Sequence, residues 1–147
     1  MLIPTCLIKF CELMLTVACL VLHHYSYDLT DLPTLMLCSG TYVGYMVVLS
    51  GEIVGEIVSA AADAYIDAWW SGTGSLLFAA CGGLTLHSWR DVPPCSRRNF
   101  AQSMAVCSLA NASLLFIDAM LAICSAYKVE GSTITRANKI PKSGGNQ

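Results

Sequence analysis

The groups most able to do chemistry in this sequence are ionisable side chains set inside long apolar stretches: Glu52, Glu56 and Asp118, with Lys9 and Glu12 near the start of the chain. An ionisable group at membrane depth costs at least ~2.5–3.5 kcal/mol on insertion scales, so each is read first as functional, in proton relay or cation passage. Glu52 and Glu56 lie one helical turn apart and repel one another when both are ionised. The spacing favours a blander arrangement, a polar collar in which Lys9 pairs with Glu12, Glu52 or Glu56. Asp118 follows Asn111 by seven residues, which places them about 20° apart on a helical wheel. Both are therefore expected to face another helix rather than lipid. The expected partner of Asp118 is a hydroxyl, a tyrosine or a backbone carbonyl, since His87 lies at the wrong depth. A proton path needs closely spaced relays, and Asn111 is the only polar companion on that face. Asp118 thus reads as a buried structural polar residue.

Other chemistries find little support. The eight cysteines contain no Cys-x-x-Cys pair, so no metal or redox pattern is indicated. Cys38 and Cys95 fall on one side of the expected topology and are the candidate disulfide. His23 and His24 with Asp28 and Asp31 offer too short a loop to converge as a metal site. They read instead as part of an interfacial belt with Tyr25, Tyr27, Trp69, Trp70 and Trp89. No Ser/His/Asp set, phosphate-binding loop or dinucleotide fingerprint is present. No catalytic, cofactor-binding or metal-binding residues are assigned.

The elements that position these groups follow from composition. Of 147 residues, 55% are hydrophobic and 12% charged, with mean hydropathy +0.59 and net charge −2. A soluble domain carries about 25% charged residues. Without a basic face, a nucleic-acid partner is excluded; with so much apolar surface, intrinsic disorder is excluded as well. A spanning helix needs ~20 mostly apolar residues, and four windows qualify, at about 2–22, 35–58, 69–89 and 100–126. The remaining charges gather in the connections: Asp28 and Asp31, then Asp63 and Asp67, then Arg90, Asp91, Arg97 and Arg98. The fold class is therefore all-α, an integral membrane four-helix antiparallel bundle over residues 1–127. The polar tail 128–147 is expected to be a disordered cytoplasmic segment. Lys9 interrupts the first apolar run and no small-x-small site follows it, so that run is read as an uncleaved span. Five Lys/Arg (Lys9, Lys128, Arg136, Lys139, Lys142) against three (Arg90, Arg97, Arg98) place both termini in the cytoplasm.

Helices in lipid associate through small residues. Gly40, Gly44, Gly51 and Gly55 form two GxxxG pairs, all within roughly 60° on a wheel. Ala101, Ala105, Ser108, Ala112 and Ala119 form a matching stripe in the fourth window, and the third contributes Ser75, Ala79 and Gly82. By default these stripes hold one chain together. Contact with a neighbouring protomer, giving a homo-oligomer, is the alternative.

The order and spacing of Gly40-Thr41-Tyr42-Val43-Gly44-Tyr45, Leu86-His87-Ser88-Trp89 and Leu115-Phe116-Ile117-Asp118-Ala119-Met120-Leu121-Ala122 resemble the snakeskin family of arthropod four-span membrane proteins, over residues 35–130. The resemblance implies a MARVEL-like layout with cytoplasmic termini at the plasma membrane. It also implies a structural component of smooth septate junctions, assembling laterally with other junctional membrane proteins to seal the paracellular route between epithelial cells. It implies no catalytic residues and no cofactor. The middle connection departs from the basic one expected of the family, being acidic at Asp63 and Asp67. The competing expectation is a proton or ion channel, or a transporter subunit, using the intramembrane carboxylates. A membrane enzyme is disfavoured, because no acid–base pair is placed with a nucleophile.

Overall fold

The structure is a computed structural model describing residues 2–26, 32–60 and 63–139, without the side chains of residues 2–4 and 26. It consists of four helices, α1 (Leu2–Ser26), α2 (Leu32–Ile57), α3 (Ala64–Ser88) and α4 (Ser96–Lys139), with no strand among the described residues. Pro33 occupies the first turn of α2, where its missing N–H costs nothing. Pro93 and Pro94 separate α3 from α4. The helices run antiparallel: Lys9 at the start of α1 pairs with Glu52 near the end of α2, while Tyr25 at the other end of α1 stacks near Phe100 at the start of α4. The expected all-α bundle is the fold observed.

Three helices are long and apolar enough to cross a membrane: α1 over Thr5–Tyr25, α2 over Leu32–Ile57, and α4. The fourth expected window, 69–89, falls in α3. That helix matches α1 in length at 25 residues, but its Asp67, Trp, Gly, Ser and Thr content lowers its hydropathy. Its small and polar side (Ser71, Gly74, Gly82, Thr85) is buried against its neighbours.

The buried face of α1 is inverted relative to that of a helix in a water-soluble protein. Every buried side chain described in α1 is polar or a cysteine: Lys9, Glu12, Thr16, Cys19 and His23. Leu7, Phe10, Met14 and Val21 of the same helix face outward. Lipid is as apolar as leucine, so aliphatic side chains gain nothing by turning inward, whereas polar ones must find partners there.

The closest seam joins α3 and α4. Ser75 donates to the Ala112 carbonyl and Ser108 to the Phe78 carbonyl, each at 2.8 Å. A Cβ on Gly82 would lie 2.9 Å from Leu109 Cγ and 3.1 Å from the Ala105 carbonyl. The α4 stripe, Ala101, Ala105, Ser108, Ala112 and Ala119, is buried throughout. The glycine stripe of α2 is placed otherwise. A Cβ on Gly40, Gly44 or Gly51 would meet nothing within 4 Å, so these glycines line the outside of the chain and do not hold it together. Gly55 serves a cap. Ser59 N–H bonds to the Glu56 carbonyl and Ala60 N–H to the Gly55 carbonyl, the paired pattern of a Schellman ending. A Cβ on Gly55 would stand 3.3 Å from the Ala60 oxygen. Between α2 and α3 the packing glycine is Gly74, whose Cβ would collide with the Tyr45 ring at 2.5 Å.

Two further expectations are corrected. Residues 128–139 are not disordered: α4 continues to Lys139. No proline interrupts it before Pro141, the Tyr65 hydroxyl donates to Glu130, and Thr133 and Thr135 bond back to the preceding turn. The rest of the tail, from residue 140, and the Asp28/Asp31 loop lie outside the described residues. Cys38 and Cys95 are both free thiols. Cys38 is turned fully into the bundle, its Sγ 3.9 Å from Thr85 Oγ1 on α3, whereas Cys95 is exposed just before α4. Trp89 leaves the expected aromatic belt in the same way, being 2% exposed while Trp69 is 69% exposed.

Candidate functional site

One end of the bundle gathers the ionisable side chains of all four helices. Lys9 of α1 places its Nζ 2.6 Å from Asp118 Oδ2 of α4, 2.8 Å from Asp67 Oδ1 of α3 and 3.0 Å from Glu52 Oε2 of α2. Ser71 of α3 closes the set: its hydroxyl donates to Asp118 Oδ2 at 2.7 Å and accepts from Lys9 at 3.2 Å. An ammonium has three protons to give and no acceptor capacity. Its donor capacity is thus fully used by groups from three other helices. Each helix supplies its member for a local reason. Lys9 starts the buried α1 stripe, Glu52 lies one turn before the α2 cap, Asp67 sits in the first turn of α3, and Asp118 continues the buried α4 stripe.

Exposure falls with depth. The side chains of Asp67 and Glu52 are 22% and 16% exposed, those of Asp118 and Lys9 4% and 3%. The two shallower carboxylates line a cleft of about 320 Å³ at the α2–α3 end, together with Lys9, Glu56 and Trp70. Behind Lys9 stands Glu12, wholly buried. One turn further along α1, Thr16 donates to the Glu12 carbonyl at 2.7 Å and accepts from Asn111 Nδ2 at 3.0 Å. Beyond that level come Cys19, with its Sγ 3.9 Å from the Met104 carbonyl, and His23, within 2.9 Å of Ser39 Oγ. The α1 stripe therefore makes a file of polar groups along the bundle, dense at the Lys9 end and sparse at its middle.

The sequence-derived assignments fall into place unevenly. Glu52 does pair with Lys9, as the collar reading allows, while Glu56 lines the cleft without an ion pair among the described residues. Asp118 and Asn111 are both buried. Asp118 has the expected hydroxyl partner in Ser71, but Lys9 is a partner that the sequence reading missed, and so is Asp67 of the same cluster. Counting depth would have found the Lys9–Asp118 pair: Lys9 lies seven residues into α1 and Asp118 eight residues before Ala126, so antiparallel helices bring them level. Among the described residues no three His, Cys, Asp or Glu side chains converge as ligands for a metal ion.

The arrangement can lock four helices at one end by charge, and it offers a small acid-walled cleft. Comparison with protein-family models, with curated proteins and with solved structures finds no match.

Proposed function

We propose that this chain is a non-enzymatic structural membrane protein that spans the bilayer four times with cytoplasmic termini. In this reading it assembles laterally with other membrane proteins at epithelial cell–cell junctions of the smooth septate type. The observation that carries the reading is the outward glycine face of α2. Gly40 and Gly44 border a surface groove of about 370 Å³ between α2 and α3, walled by Thr41, Tyr45, Trp70 and Leu77. None of Gly40, Gly44 and Gly51 is needed to pack the chain itself. Small residues let another helix backbone approach closely. The connecting residues that the structure describes, 58–60, 63 and 89–95, are few, and the helix faces are the broad surfaces they leave for association. The resemblance of its motif order to that of the snakeskin family is the ground for the junctional setting.

Conduction of protons or ions is the second reading, favoured by the carboxylates around Lys9. The file beyond Thr16 weighs against it, because its next member, the Cys19 thiol, is packed among apolar core side chains such as Phe78 and Met104.

The deciding experiment images a tagged chain in a polarised epithelium. The wild type is expected at lateral contacts. Gly44→Leu is expected to lose that position and its co-purifying partners while unfolding at the wild-type temperature, and Val43→Leu to behave as wild type. An even intracellular distribution of the wild type, or a Gly44→Leu chain indistinguishable from it, refutes the proposal.

A further inference from the structure

The Lys9 cluster accounts for Glu52, Asp67 and Asp118 but leaves Glu12 aside. Glu12 is 0% exposed, and neither of its carboxylate oxygens has a hydrogen-bond partner among the described residues. A second orphan lies across the seam on α4: Asn111 is equally buried, and its Oδ1 has no partner. The orientation of that amide is set by its neighbour. Thr16 gives its only hydroxyl hydrogen to the Glu12 carbonyl, so at Asn111 it can only accept, and the amide must present Nδ2 to it. Between the Lys9–Asp118 contact and the Thr16–Asn111 bond, the α1–α4 seam thus holds oxygens that can accept and no free donor. Buried polar atoms are nearly always paired, and an exception points to a bound water, an ion or a function.

We propose that Glu12, Asn111 and Thr16 form a binding site for a small monovalent cation, with sodium as the type. The Glu12 carboxylate is the charged ligand, and Asn111 Oδ1 and Thr16 Oγ1 are the neutral ones. An all-oxygen set selects a hard cation. A single carboxylate matches a single charge, and among the described residues no group of three His, Cys, Asp or Glu side chains is arranged to hold a metal ion. Charge balance points the same way. Asp118, Glu52 and Asp67 all lie close enough to Glu12 to repel it, against the one ammonium of Lys9. A cation beside Glu12 relieves that excess. The Glu52 and Asp67 walls of the cleft concentrate cations at its mouth, and Lys9 stands between the cleft and the site. The proposal does not depend on lateral assembly.

The test uses the purified full chain in detergent, with sodium chloride exchanged for choline chloride at constant ionic strength. Tryptophan fluorescence follows unfolding, and equilibrium binding of radioactive sodium gives the stoichiometry. Saturating sodium is expected to raise the unfolding midpoint by about 5 °C and to bind once per chain. Glu12→Gln is expected to fold and to lose both effects, and Asn111→Ala to weaken binding at least ~10-fold, as expected for a lost ligand. Glu56→Gln, at the cleft, keeps both. A wild-type chain that binds no sodium overturns the site whether or not the variants fold. So does a Glu12→Gln chain that still binds it. A midpoint that rises with acid alone assigns Glu12 a proton instead and also overturns the proposal.

Discussion

Replacing Lys9 with Met keeps the length of the side chain and removes its charge, which isolates what the ammonium does. Three carboxylates at 2.6, 2.8 and 3.0 Å then face one another with no cation between them. Removing one partner of a buried ion pair costs about 3–5 kcal/mol in soluble proteins. Polar contacts in membrane proteins average only ~0.6 kcal/mol each and reach ~1.7. Two of the three partners are partly exposed, so their share is discounted for solvent screening. Asp118, at 4% exposure, carries most of the effect. The expected loss is about 3 kcal/mol, at the lower edge of the range for a buried ion pair. The assay is equilibrium unfolding in mixed detergent micelles, followed by tryptophan fluorescence. Asp118→Asn keeps an acceptor for Ser71 and is expected to cost about 1 kcal/mol. The double variant Lys9→Met/Asp118→Asn should be more stable than the sum of the two losses by at least ~1 kcal/mol, because the two residues form one unit. A Lys9→Met chain within ~0.5 kcal/mol of wild type, or strict additivity in the double variant, refutes the cluster as the lock of the bundle.

Ser59 ends α2 in the left-handed region at φ 59°, where a Cβ costs roughly 1–2 kcal/mol. Ser59→Gly is therefore expected to stabilise the chain by about 1 kcal/mol, read as a higher unfolding midpoint; an unchanged or lower midpoint contradicts the cap geometry. For the thiols, a membrane-impermeant maleimide should label Cys95 in the folded chain and leave Cys38 unlabelled until detergent unfolds it, as their exposure dictates. Mass spectrometry under oxidising conditions should show no Cys38–Cys95 link, and finding that link would contradict the burial of Cys38.

The number of helices and their antiparallel order were legible in the sequence, because apolar windows of spanning length leave few alternatives. The α4 stripe was legible for a different reason: Ala101, Ala105, Ser108, Ala112 and Ala119 recur at helical spacing, and they are buried. The orientation of α2 was not. Its glycines form an equally good stripe, but Tyr42, Tyr45 and Leu49 occupy the buried face of that helix, and Tyr45 needs the hollow at Gly74 of α3. A stripe of small residues states that close approach is allowed, without saying by which helix. The Lys9 cluster was half legible. Pairing with Glu52 follows from both lying at the same end of the antiparallel bundle. Asp67 reads as part of a connection because the third apolar run begins at residue 69, whereas α3 begins at Ala64 and carries Asp67 into the bundle. The helical extension to Lys139 was hidden for the opposite reason, since polarity alone does not separate a solvated helix from a coil.

These observations separate folding from association within one chain. The contacts that fix the bundle are the Lys9 cluster at one end, the Thr16–Asn111 bond at mid-depth, the serine–carbonyl bonds between α3 and α4, and the hollows at Gly74 and Gly82. None involves Gly40, Gly44 or Gly51. In lipid, polar pairing specifies which helices meet, because apolar side chains gain as much from acyl chains as from one another. With specificity held by polar groups inside, the outer face of α2 is released from any duty in folding. Under the proposed lateral assembly, substitutions there are expected to alter partners without altering the fold, whereas substitutions along Lys9, Glu12, Thr16, Cys19 and His23 act on the fold itself. Gly44 and Gly82, both glycines and both exchanged for leucine, therefore distinguish the two roles: the first should change what the chain binds, and the second whether it folds.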